Sequence, residues 1–464
     1  MFKKIFYALL LLLMMGVGSS AKAQQKITAI HIEGNAKTKE YIIFRELPYK
    51  VGDTFSKDSL QKLNIVSEHQ LINTSLFLSA TVTAKDLDST HVEIAISVKE
   101  RWYLFPLPYF RWVDRNFSEW WNVQHRSLDR VNYGLNFKQS NATGNNDKLT
   151  IGIISGYTQQ TILRYQFPYL DKQLKFGAAL GWQYFTQKEI NTSTEADKQV
   201  FTKTIDINQK GYRANINLLY RPNLFNRHSL QIGYGNSEIS DSIFLRQANY
   251  MPNYKKSFSY IDFNLAFTHV KFNYNAYPTQ GSSTEFALYQ RFSSSSNLSS
   301  FQFRKIWAHE FSKKSFYYIE SNSVGKIIPN QNFLDSRLMG YGNMQMSGLE
   351  YYVVDGNAGT ILKTELHFLL GSFNVPKTSG IKMVDNFSKK LPDIHYNFWL
   401  KAFTNLGYVY SERPTNASKL SNTLLRTAGI GLDIISIYDF VLKIDYSVNQ
   451  LGDKGVYLHG GINF

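Results

Sequence analysis

From Trp102 to its last residue, Phe464, the chain keeps a period of two almost throughout. In the closing run Val456, Leu458, Gly460, Ile462 and Phe464 share one face, and Tyr457, His459, Gly461 and Asn463 share the other. Upstream, Phe176, Ala178, Leu180 and Trp182 oppose Lys175, Gly177, Ala179 and Gly181, and Ile261, Phe263, Leu265 and Phe267 oppose Asp262, Asn264, Ala266 and Thr268. Successive side chains of a strand point to opposite faces, so each run reads as a strand with one apolar and one more polar side. A strand standing between lipid and a watery lumen needs that pattern. The chain therefore belongs in a membrane although its mean hydropathy is −0.29.

The N-terminus agrees. Lys3 and Lys4 precede an apolar run from Ile5 to Met15, and Ala21-Lys22-Ala23 offers a small-x-small cleavage site, so residues 1–23 read as a secretory signal peptide. Beyond it no stretch approaches the ~18 apolar residues of a membrane helix. There is no cysteine, which excludes disulfides, thiolate metal sites and a lipid-bearing N-terminal Cys. The 30 Tyr, 33 Phe and 7 Trp suit aromatic girdles at both membrane interfaces. The formal charge of +15 suits anionic headgroups, lipopolysaccharide phosphates or acidic substrates. That charge is spread along the chain with no long basic run, so it marks no nucleic-acid site.

Residues 24–101 have a different texture. Ile27 to Glu33 alternates and ends at the Gly34-Asn35 turn signal. Glu40, Ile43, Phe44 and Leu47 have helical spacing, and Pro48 stops that helix. Ser56 is placed to cap a second helix carrying Leu60, Leu63 and Val66. Two strands follow, Thr81 to Lys85 and Val92 to Val98, the second with Val92, Ile94, Ile96 and Val98 facing inward. The order is β-α-α-β-β, about one small domain by size. With the pieces "IHIEGNAKT", "VGDTFSKDSLQKL" and "VEIAISVKER", this segment resembles a POTRA (polypeptide-transport-associated) domain. The resemblance implies a periplasmic module ahead of a barrel.

Residues 102–464 then read as an antiparallel β-barrel of roughly sixteen strands, an even number as expected of bacterial barrels. Strands are expected near 104, 131, 149, 160, 174, 211, 229, 261, 283, 301, 316, 360, 397, 424, 440 and 456, with loops at 140–147, 188–200, 237–256 and 412–422, mostly the longer extracellular ones. The fold class is thus mainly β, a transmembrane barrel with one small N-terminal α/β POTRA domain. "QFPYLDKQLKFGAALGW", "YPTQGSSTEFALYQ" and "RTAGIGLDIISIYDFVLKIDYSV", in that order, resemble the BamA/TamA superfamily of outer-membrane assembly and translocation proteins. An aromatic C-terminus such as Phe464 also resembles the terminal signal of outer-membrane barrels, although His459 stands where the family usually has Gly, with Gly460 one later.

The long connection at about 326–358 exceeds a simple barrel turn. In the family this loop enters the barrel and presents an Arg-Gly-aromatic tip to acidic wall residues. Here Gly340-Tyr341 matches the last two tip positions, and Met339 stands in the Arg position. Glu365 keeps one wall acid, and Asn405 stands where an Asp is expected. Losing both charges is easier than stranding one in the lumen. Two arrangements follow as expectations. In one, Tyr341 packing and turns at Gly340 and Gly342 hold the loop, with Asn405 as a neutral partner. In the other, Arg337 supplies the missing charge to Glu365. A plain surface loop is the third alternative.

Enzymatic motifs are missing: there is no Gly-x-Ser-x-Gly, no His-Glu-x-x-His and no Gly-Lys-Ser/Thr phosphate loop. The expectation is therefore a non-enzyme without cofactor or metal, although a barrel lipase can hide a Ser-His pair without a local motif. The resemblance implies residence in a bacterial outer membrane, partners that are unfolded outer-membrane or secreted client proteins, and accessory assembly subunits. It also implies action at a seam between the first strand, about Leu104 to Trp112, and the last, Val456 to Phe464. A dedicated secretion pore, a passive channel and an accessory barrel without insertase activity stay open beside it.

Overall fold

The computed structural model describes residues 24–113, 117, 119–204, 206–294, 296–375, 394–414 and 417–462. The signal-peptide reading and Phe464 lie outside these residues.

The N-terminal domain runs β1 (Gln24–Glu33), α1 (Glu40–Phe44), β2 (Thr54–Ser56), α2 (Lys57–Asn73), β3 (Phe77–Asp86) and β4 (His91–Glu100). Its sheet has the order β2-β1-β4-β3, with β1 parallel to β4. Val92, Ile94, Ile96 and Val98 all point into the core, against Ile27, Ile43, Leu60 and Leu71. Ser56 caps α2, its hydroxyl accepting from the Ser59 N–H at 3.3 Å. The three-residue β2 is too short for any period to reveal. The buried face of α2 also differs from the expected one: Asn64, Ser67 and Gln70 are inside, and Val66 is only half-buried. Two of these polar residues are bonded there, Asn64 accepting from the Tyr49 hydroxyl at 2.8 Å and Ser67 donating to the Leu63 carbonyl at 2.9 Å.

Sixteen strands form one antiparallel sheet in chain order. They begin with β5 (Leu104–Trp112), β6 (Val131–Ser140), β7 (Lys148–Gly156), β8 (Thr158–Phe167) and β9 (Phe176–Gln187). A separate hairpin, β10 (Glu189–Glu195) and β11 (Lys198–Lys203), precedes β12 (Gln209–Tyr220) and β13 (Asn226–Ile239). After α3 (Asp241–Arg246) come β14 (Ser257–Phe272), β15 (Gly281–Ser293), β16 (Leu298–Ser312) and β17 (Ser315–Ile327). The connection to β20 holds α4 (Phe333–Ser336), β18 (Arg337–Met339) and β19 (Val354–Asp355). The sheet ends with β20 (Ala358–Val375), β21 (Ile394–Tyr410), β22 (Leu424–Ser436), β23 (Phe440–Asn449) and β24 (Lys454–Ile462).

Five turns from around this sheet meet the one N-terminal domain. Asn141 bonds Thr38, the Leu174 carbonyl accepts from Arg45, Arg221 pairs with Glu46, the Phe272 carbonyl accepts from Asn73, and Asp439 pairs with Arg101. In a flat sheet the first and last of these turns would lie roughly 60 Å apart at ~4.8 Å per strand. The sheet is therefore rolled, with one end against the domain. Outside it shows Leu180, Trp182, Ile216, Leu265, Phe301 and Leu400; inside lie Lys401, Asn405, Asp433 and Asp445. This is the apolar-out, polar-in alternation of a membrane barrel. No helix among the described residues is long and apolar enough to cross a membrane.

The loop expectations need three corrections. The 140–147 segment lies at the end facing the N-terminal domain, not among the long far-end loops. The 188–200 segment is mostly the hairpin β10–β11, whose Asn and Thr residues masked its period. The 237–256 segment contains the end of β13 and the helix α3, capped by the Ser240 hydroxyl.

Candidate functional site

The connection between β17 and β20 folds inward over the far end of the barrel. Its β18 and β19 pair as a small hairpin. Gly340 and Gly342 take positive φ of 87° and 54°, which a side chain would strain, and the Gly340 N–H closes a turn on the Met344 carbonyl at 2.7 Å. Met339 is 1 % exposed. It shares an apolar cluster with Leu338, Met344 and Met346 of the loop and with Ile361, Val409 and Leu425 of the wall strands β20, β21 and β22. The expected Arg position is thus filled by a thioether in an apolar contact.

The other tip residues point elsewhere. The Tyr341 hydroxyl accepts from the Asn191 amide at 2.8 Å and the Gln199 amide at 3.2 Å, both on the β10–β11 hairpin. Arg337 donates to the Asn191 carbonyl at 2.7 Å and lies over the Phe333 ring, 4.7 Å from its centre. Among the described residues no ion pair joins Arg337 to Glu365, so the charged arrangement expected of these two is not what forms. Asn405 is 1 % exposed and donates to Thr427 Oγ1 at 3.0 Å and to the Ser347 carbonyl of the loop at 3.4 Å.

A charged anchor exists that the sequence reading missed. Arg291 on β15 donates to both carboxylate oxygens of Asp335 on α4, at 2.8 and 2.7 Å. The acid is on the loop and the Arg on the wall, so a search for a loop Arg and a wall acid passes over it.

Glu365 lies below the loop, lining a cavity of about 190 Å³ with Met339, Lys363, Lys401 and Lys443. Its Oε2 is 3.0 Å from His367 Nε2. Lys401 bridges Asp433 at 3.0 Å and Asp445 at 2.8 Å. Tyr277, from the turn before β15, reaches into this network: its hydroxyl donates to Asp433 at 3.0 Å and lies 2.9 Å from His367 Nδ1. Glu365, His367 and Asp433 offer ligand atoms within 4.8 Å of one another. Each also has a protein partner: Glu365 pairs with His367, His367 with Tyr277, and Asp433 with Tyr277 and Lys401.

At the seam, Val456 projects outward with 60 % exposure, and Leu458 and Gly460 lie on the same face. Phe464 is outside the described residues, and Ile462 ends β24 opposite Phe440. The inner face of β24 is held by the loop: Tyr351 packs edge-on against Tyr457 at 5.6 Å, and Glu350 Oε1 lies 3.2 Å from His459 Nε2. Among the described residues no strand ladder joins β24 to β5, and these two form the ends of the sheet.

The POTRA family model, described as surface antigen variable number repeat, matches residues 25–101. This segment is a POTRA domain. No curated protein matches the chain. Solved structures that align with it include BamA from Haemophilus ducreyi lacking POTRA domains 1-3, at 15% identity over 94% of this chain and 84% of that one, with a TM-score of 0.49. CdiB from Acinetobacter baumannii aligns at 13% identity over 94% and 73%, TM-score 0.49. CdiB from Escherichia coli aligns at 10% identity over 97% and 92%, TM-score 0.47.

The POTRA domain docks on the barrel through two buried ion pairs. Arg101 holds both oxygens of Asp439 at 2.9 and 3.0 Å, and Ser75 and Tyr274 donate to the same carboxylate. Glu46 takes both Arg221 nitrogens at 2.6 Å. Burial alone would raise the Glu46 carboxyl, but Arg221 outweighs it and holds the pKa below its ordinary value. Tyr103, the last residue before β5, packs in the POTRA core, and burial pushes its hydroxyl up to about 12.

Proposed function

We propose that the protein is an outer-membrane factor for protein assembly or translocation, with its POTRA domain in the periplasm receiving unfolded client chains and its barrel seam templating their insertion. The observation that supports this most is the sheet that ends at β5 and β24 without a ladder between them among the described residues. In lipid, backbone groups at a sheet end have no water to bond, so a nearby extended chain is drawn into pairing. On the POTRA side, the ten-residue β3 is an edge strand able to accept a client by strand addition. Glu68 guards that edge, accepting from the Val82 N–H at 2.8 Å.

The interior bears on the rival readings. The POTRA domain crosses one mouth and the β17–β20 connection crosses the other, which favours a gated device over a passive channel. The test is insertion of a urea-unfolded barrel client into liposomes carrying the protein, against empty liposomes. The chain has no cysteine, so Phe110→Cys with Leu458→Cys, both on the outward face, permits a thiol cross-linker across the seam. Faster client folding that is lost on cross-linking supports seam templating. No acceleration points to a dedicated secretion pore or an accessory subunit, separable by the partners that co-purify.

A further inference from the structure

The edge of β5 that faces the seam is chemically incomplete. The Ser140 N–H donates to the Tyr103 carbonyl at 2.8 Å, and the Val113 N–H donates to the Arg130 carbonyl at 2.9 Å. Between these two bonds the β5–β6 register runs without a slip from Leu104↔Gln139 to Trp112↔Val131. In an antiparallel pair the hydrogen-bonded positions alternate. The odd-numbered residues of β5 therefore bond β6, and Leu104, Pro106, Pro108, Phe110 and Trp112 turn their backbone groups to the opposite edge. Pro106 and Pro108 have no N–H to give. Two of the five positions on that edge can only accept.

Pro106 lies in the half of β5 nearer the POTRA domain and Pro108 at its midpoint, since β5 starts at that end. The corresponding end of β24 carries Gly460 and Gly461, paired with Leu442 and Val441 close to the Asp439 that holds Arg101. Glycine adds no cross-strand side-chain contact. The two terminal strands are therefore weakest at the same end.

We infer that Pro106 and Pro108 decide where the seam parts. A strand added antiparallel to β5 zips at the Phe110–Trp112 end and leaves unanswered carbonyls opposite the prolines. The POTRA end of the seam stays open to an extended client strand, with β24 as its competitor. The client part of this inference rests on the proposed function; the seam part does not. Proline on an edge strand also discourages edge-to-edge aggregation, and that role alone would leave the pairing of β24 unaffected by its removal.

The test is hydrogen exchange over 454–462 in the full-length protein in liposomes, comparing wild type with Pro106→Val/Pro108→Val, alongside the client insertion rate. The double variant should slow exchange over 458–461 by about tenfold as two donors are restored, and should slow client insertion severalfold. Unchanged exchange in a folded double variant overturns the inference. Slowed exchange with unchanged insertion upholds the seam assignment and removes the templating reading. If the double variant does not fold, Phe110→Pro on the same edge gives the converse measurement. It should speed exchange over 454–457 by about tenfold, and no change there overturns the inference equally.

Discussion

Arg291 on the barrel wall and Asp335 on the in-folded connection hold each other through two parallel hydrogen bonds, with side chains 6 % and 3 % exposed. Removing one partner of such a pair strands a buried charge at a cost of about 3–5 kcal/mol. Asp335→Ala should therefore release the β17–β20 connection, read as new protease cleavage within 328–357 from the outer face of whole cells. The exchange Arg291→Asp with Asp335→Arg should recover a large part of the protection, and Arg291→Met with Asp335→Leu more than either single variant.

Met339 sits in an apolar contact where the resemblance leads one to expect Arg. Met339→Leu keeps volume and should cost less than about 1.5 kcal/mol, whereas Met339→Ala should cost about 2–5 kcal/mol. Met339→Arg should be worse than Met339→Leu and gain nothing from Asn405→Asp, because Asn405 is engaged with Thr427 and the Ser347 carbonyl. Thermal unfolding of the refolded barrel in detergent, followed by gel mobility, ranks the four variants.

Arg101 and Asp439 are 338 positions apart and join the POTRA domain to the β22–β23 turn. Asp439→Ala leaves Arg101 buried without its carboxylate, so POTRA docking should weaken by about 3–5 kcal/mol. The distance distribution between spin labels on α2 and on a barrel turn should broaden in this variant. A distribution identical to wild type would mean that Glu46–Arg221 suffices.

The Glu46–Arg221 contact gives docking a pH dependence with a definite sign. The Glu46 pKa is depressed in the folded state, so its contribution is fully present above the ordinary value of 4.5 and is lost as pH falls through the folded value. POTRA docking should thus loosen below about pH 4.5, as Glu46 takes up its proton. Glu46→Gln should show weaker docking at neutral pH and lose this contribution to the acid transition, measured by the same spin-label distances across a pH series.

Local pattern was enough for the elements. Alternation places every one of the sixteen barrel strands, because lipid on one side and water on the other impose a period that no partner needs to complete. Val92, Ile94, Ile96 and Val98 reveal the POTRA core strand for the same reason, and Ser56 reveals its helix start through a bond made within one turn. The hairpin β10–β11 escaped since its Asn and Thr residues carry no apolar face.

What the sequence by itself determined is the barrel, its face assignment, the POTRA domain and the position of the long in-folded connection. Only the tertiary structure decided the pairings. Arg337 and Glu365 were plausible partners along the chain, yet Arg337 turns to the Asn191 carbonyl and Glu365 to His367. Arg291 found Asp335, Arg101 found Asp439 and Tyr277 found Asp433. A buried charge takes whichever counter-charge the rolled sheet brings within a few ångströms. That choice depends on the roll of sixteen strands and on no spacing a linear sequence displays.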